Sequence, residues 1–461
     1  MEVEKKILNL EVSDSRLKTF LQNEIIANLP IQQRLMFRNI LNCGKKILKD
    51  PHGREPEVQL MKAEDGNKAK FWGLVTCKNT FLCPTCSAYY MSKHATQIGA
   101  AIDALKAQGQ AAFMLTLTIV HYKNLKCFDL MNILYEAWKN FAGCRNKSKS
   151  DRHAMSKFRS EFNCKHSVKV CEFTYSEKKG WNPHFHCLFW VPKERLQEVG
   201  EWEEKLRQGW HTCLANAWAK HFAEKNKDKH PDKKESSEYL YRLFERLEKF
   251  SVIRAQQGNG QDLNRVKSGS LWISKTKKGK IFEAKSSQYI NGWGTDRELT
   301  GKPRKEASGK WSMTPHQLLE SAAMGNEKHK EKIIEFAIAI KTKLRRRVMY
   351  GQGMLKIIKA WMETNEYKET LVKKNIQETK WKSLISFTKE QWQEILRLEQ
   401  TEKLYIRHNI LFLAANYNAE KAFQLIYDYL LFYGINVKDN ATNYNYWCDL
   451  AEQLFNNTKV A

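Results

Sequence analysis

Along this chain the spacing of apolar and polar positions changes from segment to segment, and each change marks an element. In the first forty residues Leu17, Phe20, Leu21, Ile25 and Ile26 recur at helical spacing up to Pro30, which predicts two helices. Cysteines then crowd Phe71 to Cys86, and Ser87 to Leu105 returns to a helical pattern. The run AAFMLTLTIV (111–120) mixes β-branched and aromatic residues and stops at polar HYKN, as a buried strand does. A polar helical stretch, Asp129 to Phe162, follows. Ser167 to Tyr175 and His184 to Val191 flank the turn-forming SEKKGWNP, so a hairpin is expected. Glu201 to Ala223 is helical, EKNKDKHPDKKESS (224–237) is a charge run without apolar period, and Glu238 to Phe250 predicts another helix. LWISK predicts a short strand, and IFEAKSSQYI a short helix ended by Asn291-Gly292. From His316 onward the pattern reads as helices almost throughout, KWKSLISFTKEQWQEILRL included, and there is no internal repeat.

Composition narrows the partner. The chain has 461 residues and a formal net charge of +26. That length implies about two or three domains, and that charge favours polyanions, since Lys and Arg near phosphates release condensed counterions. No apolar run reaches the roughly 20 residues that cross a bilayer, so no membrane partner is expected. The first residues, MEVEKKILNLEV, read as neither a secretory signal nor a transit peptide, and a cytoplasmic protein is expected. Eleven cysteines at irregular spacing fit free thiols and a metal site better than a disulfide framework.

The sharpest chemistry lies in NPHFHCLFWV (182–191). Alternate residues of a strand share a face, so His184 and His186 present two imidazoles side by side, a spacing that can hold a divalent metal. With a turn centred near Lys179, antiparallel pairing sets Glu172 opposite His186 and Thr174 opposite His184, which adds a carboxylate to the cluster. Two polar residues at the start of an ordinary strand are the plainer alternative. Cys77, Cys83 and Cys86, with Cys43 upstream, have the spacing of a four-cysteine zinc site; a redox pair or buried thiols would use the same CPTC turn. His94 is a substitute ligand to consider.

FMLTLT, then EFTYSEKKGWNPHFHCLFWV, then YINGWGTDRELTG and TPHQLL, resemble in order the motifs of HUH-type endonucleases, in the wording of the replication initiators of rolling-circle plasmids, the Rep proteins. The resemblance runs from about Arg34 to Leu355. It implies an α+β protein in which a central antiparallel sheet of about five strands, the HUH nuclease fold, carries the site, with flanking helices and a mostly helical C-terminal region. The domains expected are 1–105 with the cysteine cluster, 106–315 as the endonuclease, and 316–461 as the helical region. It implies further that His184, His186 and Glu172 bind Mg or Mn, that Tyr289 attacks a phosphate of plasmid origin DNA, single-stranded or extruded as a hairpin, and that Cys43, Cys77, Cys83 and Cys86 hold structural zinc. The nick would leave a 3′-OH for a host polymerase, with a host helicase as a further partner. The sequence departs from the family at Gly292, where a lysine is usual, and at Lys285, where some relatives carry a glutamate used in termination. Tyr239 and Tyr241 are rival nucleophiles, with helix packing as their plainer role. A relaxase or single-tyrosine transposase, or a zinc-stabilised origin-binding protein without full cleavage, are the alternative functions.

Basic residues supply further candidates. Lys302, Arg304, Lys305 and Lys310 interleave with Trp293 and Trp311, as a single-strand surface or a solvated loop would. Lys341, Lys343, Arg345, Arg346 and Arg347 could grip duplex phosphates or form a solvated helix face. His121 is either a site contact or a loop histidine.

Overall fold

Eight strands are formed by the residues that the computed structural model describes, namely 14–49, 57–64, 68–119, 121, 123–143, 154–225, 271–273, 312–343, 346–373, 380–402 and 404–437. In chain order they are β1 (Val58–Ala63), β2 (Ala69–Trp72), β3 (Gln110–Thr118), β4 (Ser167–Ser176), β5 (Gly180–Pro192), β6 (Leu271–Ile273), β7 (Val348–Tyr350) and β8 (Trp381–Phe387). They make two antiparallel sheets, ordered β2-β1-β8 and β6-β3-β5-β4-β7, where the sequence predicted a single central one. The α+β class stands, and the correction is the extra sheet. It arises because VQLMKA, AKFW and WKSLISF pair as strands: in β8 the apolar Leu384, Ile385 and Phe387 are buried while Trp381 and Ser383 stay half-exposed. The helical reading of residues 381–387 is therefore wrong, as is that of 348–350.

Two compact units result, one within 1–79, 83–87 and 370–461, the other within 80–82 and 88–369. In the first, Val58, Leu60, Ile385 and Phe387 from one sheet face pack with Trp392, Ile395, Ile410 and Ile426 of the helices Lys389–Thr401, Ile406–Asn416 and Ala419–Phe432. Each large apolar side chain buried this way stabilises by about 1.5–3 kcal/mol. The predicted N-terminal helices are present as Asp14–Phe20, a π-type turn Leu21–Ile26, and Ile31–Met36 beyond Pro30.

In the second unit β3, β5 and β4 form the middle of the sheet, and odd-numbered residues line its core face. Phe185 meets Tyr135 and Trp138 edge-on at 5.1 and 5.7 Å, both from the helix Cys127–Phe141. Trp181 stacks on Phe336 of the helix Glu327–Lys343 at 5.2 Å, and Phe113 meets Phe158 of Ala154–Glu161 at 5.7 Å. Among the described residues no helix is long and apolar enough to cross a membrane.

Candidate metal centres

The hairpin β4–β5 builds the first centre. Ser176 pairs with Gly180, so the turn is Glu177–Lys179, and Gly180 takes φ +77°, the left-handed position that closes a three-residue hairpin loop. The turn thus centres at Lys178, one residue before the position the sequence predicted. Moving the centre by one residue moves every pair by two, so Glu172 lies opposite His184 and not His186, with parity kept. All three side chains still share the even face, opposite the aromatic core.

On that face Glu172 Oε2 lies 3.5 Å from His184 Nε2 and 3.5 Å from His186 Nε2. The imidazoles stand 5.0 Å apart at 88°, and one ligand atom from each of the three residues falls within 4.8 Å of the others. The remaining ring nitrogens are held from behind. His184 Nδ1 donates to the Asn182 carbonyl at 3.1 Å, which leaves Nε2 with its lone pair facing the cluster, and His186 Nδ1 is 3.0 Å from Thr116 Oγ1. Thr116 reaches it because β3 pairs with β5 so that Thr116 faces His186 and Thr118 faces His184. The alternation in LTLT beside that in HFH was the available signal for this threonine.

Burial would raise the Glu172 pKa, yet the two imidazoles and the charge of Arg347 hold it well below the usual carboxylate range. Arg347 Nη2 is 3.8 Å from Glu172 Oε1, and Nη1 donates to the Thr80 carbonyl at 3.4 Å. Its predicted place in a phosphate-gripping cluster is therefore corrected: the Arg347 guanidinium turns inward behind the carboxylate, while Arg346 is exposed. His121, at the end of β3, directs Nδ1 at the Lys179 carbonyl 3.1 Å away, and burial lowers its pKa. TPHQLL is explained by local structure. Thr314 and Gln317 form a reciprocal capping box for Pro315–Ala323, and His316 is buried, its pKa pushed to about 3 by that burial and by Arg347. Tyr289, Lys285, Gly292, Tyr239, Tyr241 and the basic loop from Lys302 to Lys310 lie outside the described residues.

The second centre joins Cys43, which follows the short helix Arg38–Leu41, to Cys77, Cys83 and Cys86. Pro84 starts the helix Pro84–Ala107 between the last two, so both thiols sit at the start of that helix. Cys43 Sγ is 3.8 Å from Cys83 Sγ and 3.5 Å from Cys86 Sγ, and Cys77 Sγ is 3.6 Å from Cys86 Sγ. Sulfurs around one zinc with bonds of about 2.3 Å stand about 3.8 Å apart, so the donor set fits that ion. Backbone N–H groups of Cys77 and Asn79 donate to Cys43 Sγ and Cys77 Sγ, both at 3.4 Å. Lys78 between them holds φ +54°, a strained value for a lysine that turns the chain at the cluster. Thiol hydrogen bonds from Cys77, Cys83 and Cys86 hold Cys43 far below the ordinary thiol range. His94 takes no part: its Nδ1 bonds Tyr350 Oη at 3.0 Å and Gln97 Oε1 at 3.2 Å.

Comparison with known proteins gives one informative likeness. No family model matches the chain, and no solved structure matches it. A curated protein of Streptomyces lividans named Protein rep is 26% identical over 137 residues, which cover 26% of this chain and 30% of that protein.

Proposed function

We propose that the chain nicks and rejoins origin DNA to start rolling-circle plasmid replication, as a Rep protein of the HUH type. The observation that carries this reading is the convergence of Glu172, His184 and His186 on one face of a hairpin, with the carboxylate oxygen 3.5 Å from both imidazole nitrogens. The order of motifs, the net charge of +26 and the likeness to Protein rep support it. Mg or Mn on these ligands would polarise the scissile phosphate and offset charge in the transition state. Two neutral imidazoles and one carboxylate leave open positions for phosphate oxygens.

Tyr289 is the proposed nucleophile. Its oxygen bonds to phosphorus as the bond from phosphorus to the 3′-oxygen breaks. The phenolic proton leaves to solvent, and the departing 3′-oxygen takes one up. The products are a 5′-phosphotyrosine and a 3′-OH that a host polymerase can extend. Phenolate is a better leaving group than a sugar alkoxide, so the joining step runs back by the same route. Cys43, Cys77, Cys83 and Cys86 would hold a structural zinc.

Incubation of the protein with a plasmid-origin oligonucleotide and Mn tests the reading. A covalent adduct that disappears in Tyr289→Phe and in His186→Ala is expected. An adduct that persists in Tyr289→Phe overturns the nucleophile. Absence of any adduct, with binding intact, favours the origin-binding protein that Gly292 and Lys285 point toward.

A further inference from the structure

The sheet of the first unit has an outward face that its core does not use. Register puts Gln59 opposite Trp72, Met61 opposite Lys70 and Ser383, and Ala63 opposite Trp381, all on the side away from Leu60, Ile385 and Phe387. Trp72 is 60% exposed, although an indole gains more than most side chains from burial. It stands on β2, one of the two edge strands of the sheet. The Lys70 ammonium lies 3.8 Å over the ring of Trp381, so the cation and the aromatic are fixed together on this face. Lys68 and Lys380, both exposed, flank it at the strand ends. Of the lysines within the three strands only Lys70 shares this face: Lys62 is buried on the core side, where its Nζ donates to the Ala414 carbonyl, and Lys382 pairs with it there. The strands contain no Asp or Glu; Glu57 and Glu64 flank β1.

We propose that this face is a binding platform for single-stranded DNA, with an unpaired base stacked on Trp72 and the phosphates beside it met by Lys70, Lys68 and Lys380. An exposed indole on a twisted sheet offers a flat surface for the π-face of one base, which duplex keeps covered by its neighbours. Alternation along the strand sets aromatic and cation two residues apart, near the repeat of an extended strand of nucleotides. The charges of Lys70 on this face and of Lys68 and Lys380 at the strand ends are complementary to that backbone. This surface does not depend on the nicking chemistry of the histidine centre.

The test is fluorescence anisotropy of a labelled mixed-sequence oligonucleotide of about 15 nucleotides, a length within one such site. The full chain carries His186→Ala throughout, so cleavage does not alter the oligonucleotide during the measurement and whatever the histidine centre binds is common to every variant. Trp72→Ala is expected to raise Kd about tenfold and Trp72→Phe to restore most of the affinity. Lys70→Glu is expected to reduce the slope of log Kd against log salt by about one. Binding of the same sequence as duplex should change less than about twofold in Trp72→Ala, since a paired base offers no free face. A Kd unchanged in Trp72→Ala overturns the platform, and equal losses for duplex and single strand overturn its assignment to single strands. Trp72 is largely exposed, so neither substitution endangers the fold.

Discussion

Arg347 Nη2 lies 3.8 Å from Glu172 Oε1, the carboxylate oxygen not shared with the imidazoles. One oxygen of Glu172 is thus tied to a guanidinium while the other faces both histidines. Burial lowers the Arg347 pKa, but an arginine starts too high to lose its proton there. The pair keeps the carboxylate ionised and oriented. Chain topology brings Arg347 there: β7 pairs with β4, and the Arg347 carbonyl accepts from Cys171 N at 2.9 Å.

Acid sensitivity follows from this. The native pKa of Glu172 lies below its unfolded value of about 4.3, so its stabilising effect is complete above that value and is lost as pH falls through the native one. Thermal unfolding of the protein without added Mg or Mn should show wild type more stable than Glu172→Gln at pH 7. The gap should narrow at pH values below about 4.3. A gap of constant size across that range would mean that the carboxylate gains nothing from its neighbours in the fold.

Thr116 offers a subtler probe. Its hydroxyl lies 3.0 Å from the far nitrogen of His186, so Thr116→Val leaves all three proposed ligands present. Loss of such an orienting partner lowers metal affinity by about 10–100-fold. Titration of Mn followed by electron paramagnetic resonance should show that weakening, and Thr116→Ser should recover it. Equal affinities in the three proteins would mean that packing alone orients the imidazole.

Much of this was legible before any coordinates. The hairpin, the shared face of His184 and His186 and the cysteine spacing follow from local periods of two and from CPTC chemistry, and local periods survive folding. What failed was long-range. WKSLISF carries Trp381 and Leu384 at a helical interval, and only its pairing with β1, more than three hundred residues earlier in the chain, makes it a strand. Arg347 looked like one more cation in a charged run because its partner is 175 residues away, on β4. The one-residue error at the hairpin turn shows the limit from the other side: the left-handed Gly180 could be read as a turn residue, but its place in the loop sets the register.

The cysteine centre predicts one tightly held zinc per chain. Metal analysis of protein purified without chelator should find it, and Cys86→Ser should abolish it. With the ion gone, four thiols remain at van der Waals distance with no bond to organise them, so the loops bearing Cys43 and Cys77 lose their anchor. A fall in Tm of about 10 °C or more is expected. Stoichiometric absence of zinc, or a variant as stable as wild type, would return the cluster to buried thiols.

Beneath that centre, Arg407 and Glu399 test how dry the first unit is. Both are buried; Arg407 Nε donates to Glu399 Oε2 at 2.7 Å, and Arg407 N to Oε1 at 2.9 Å. Arg407 Nη1 also donates to the carbonyl of Gly44, next to Cys43, at 2.6 Å. Replacing Arg407 by Met strands a carboxylate in the core, and such breaks cost about 3–5 kcal/mol. Replacing both residues, as Arg407→Met with Glu399→Leu, removes the stranded charge and should recover most of that loss. Urea unfolding reads the two energies. Because the Gly44 carbonyl loses its donor in either protein, zinc release to a chromogenic chelator should be faster than wild type in both. A single substitution costing less than about 1 kcal/mol would mean that water reaches the pair.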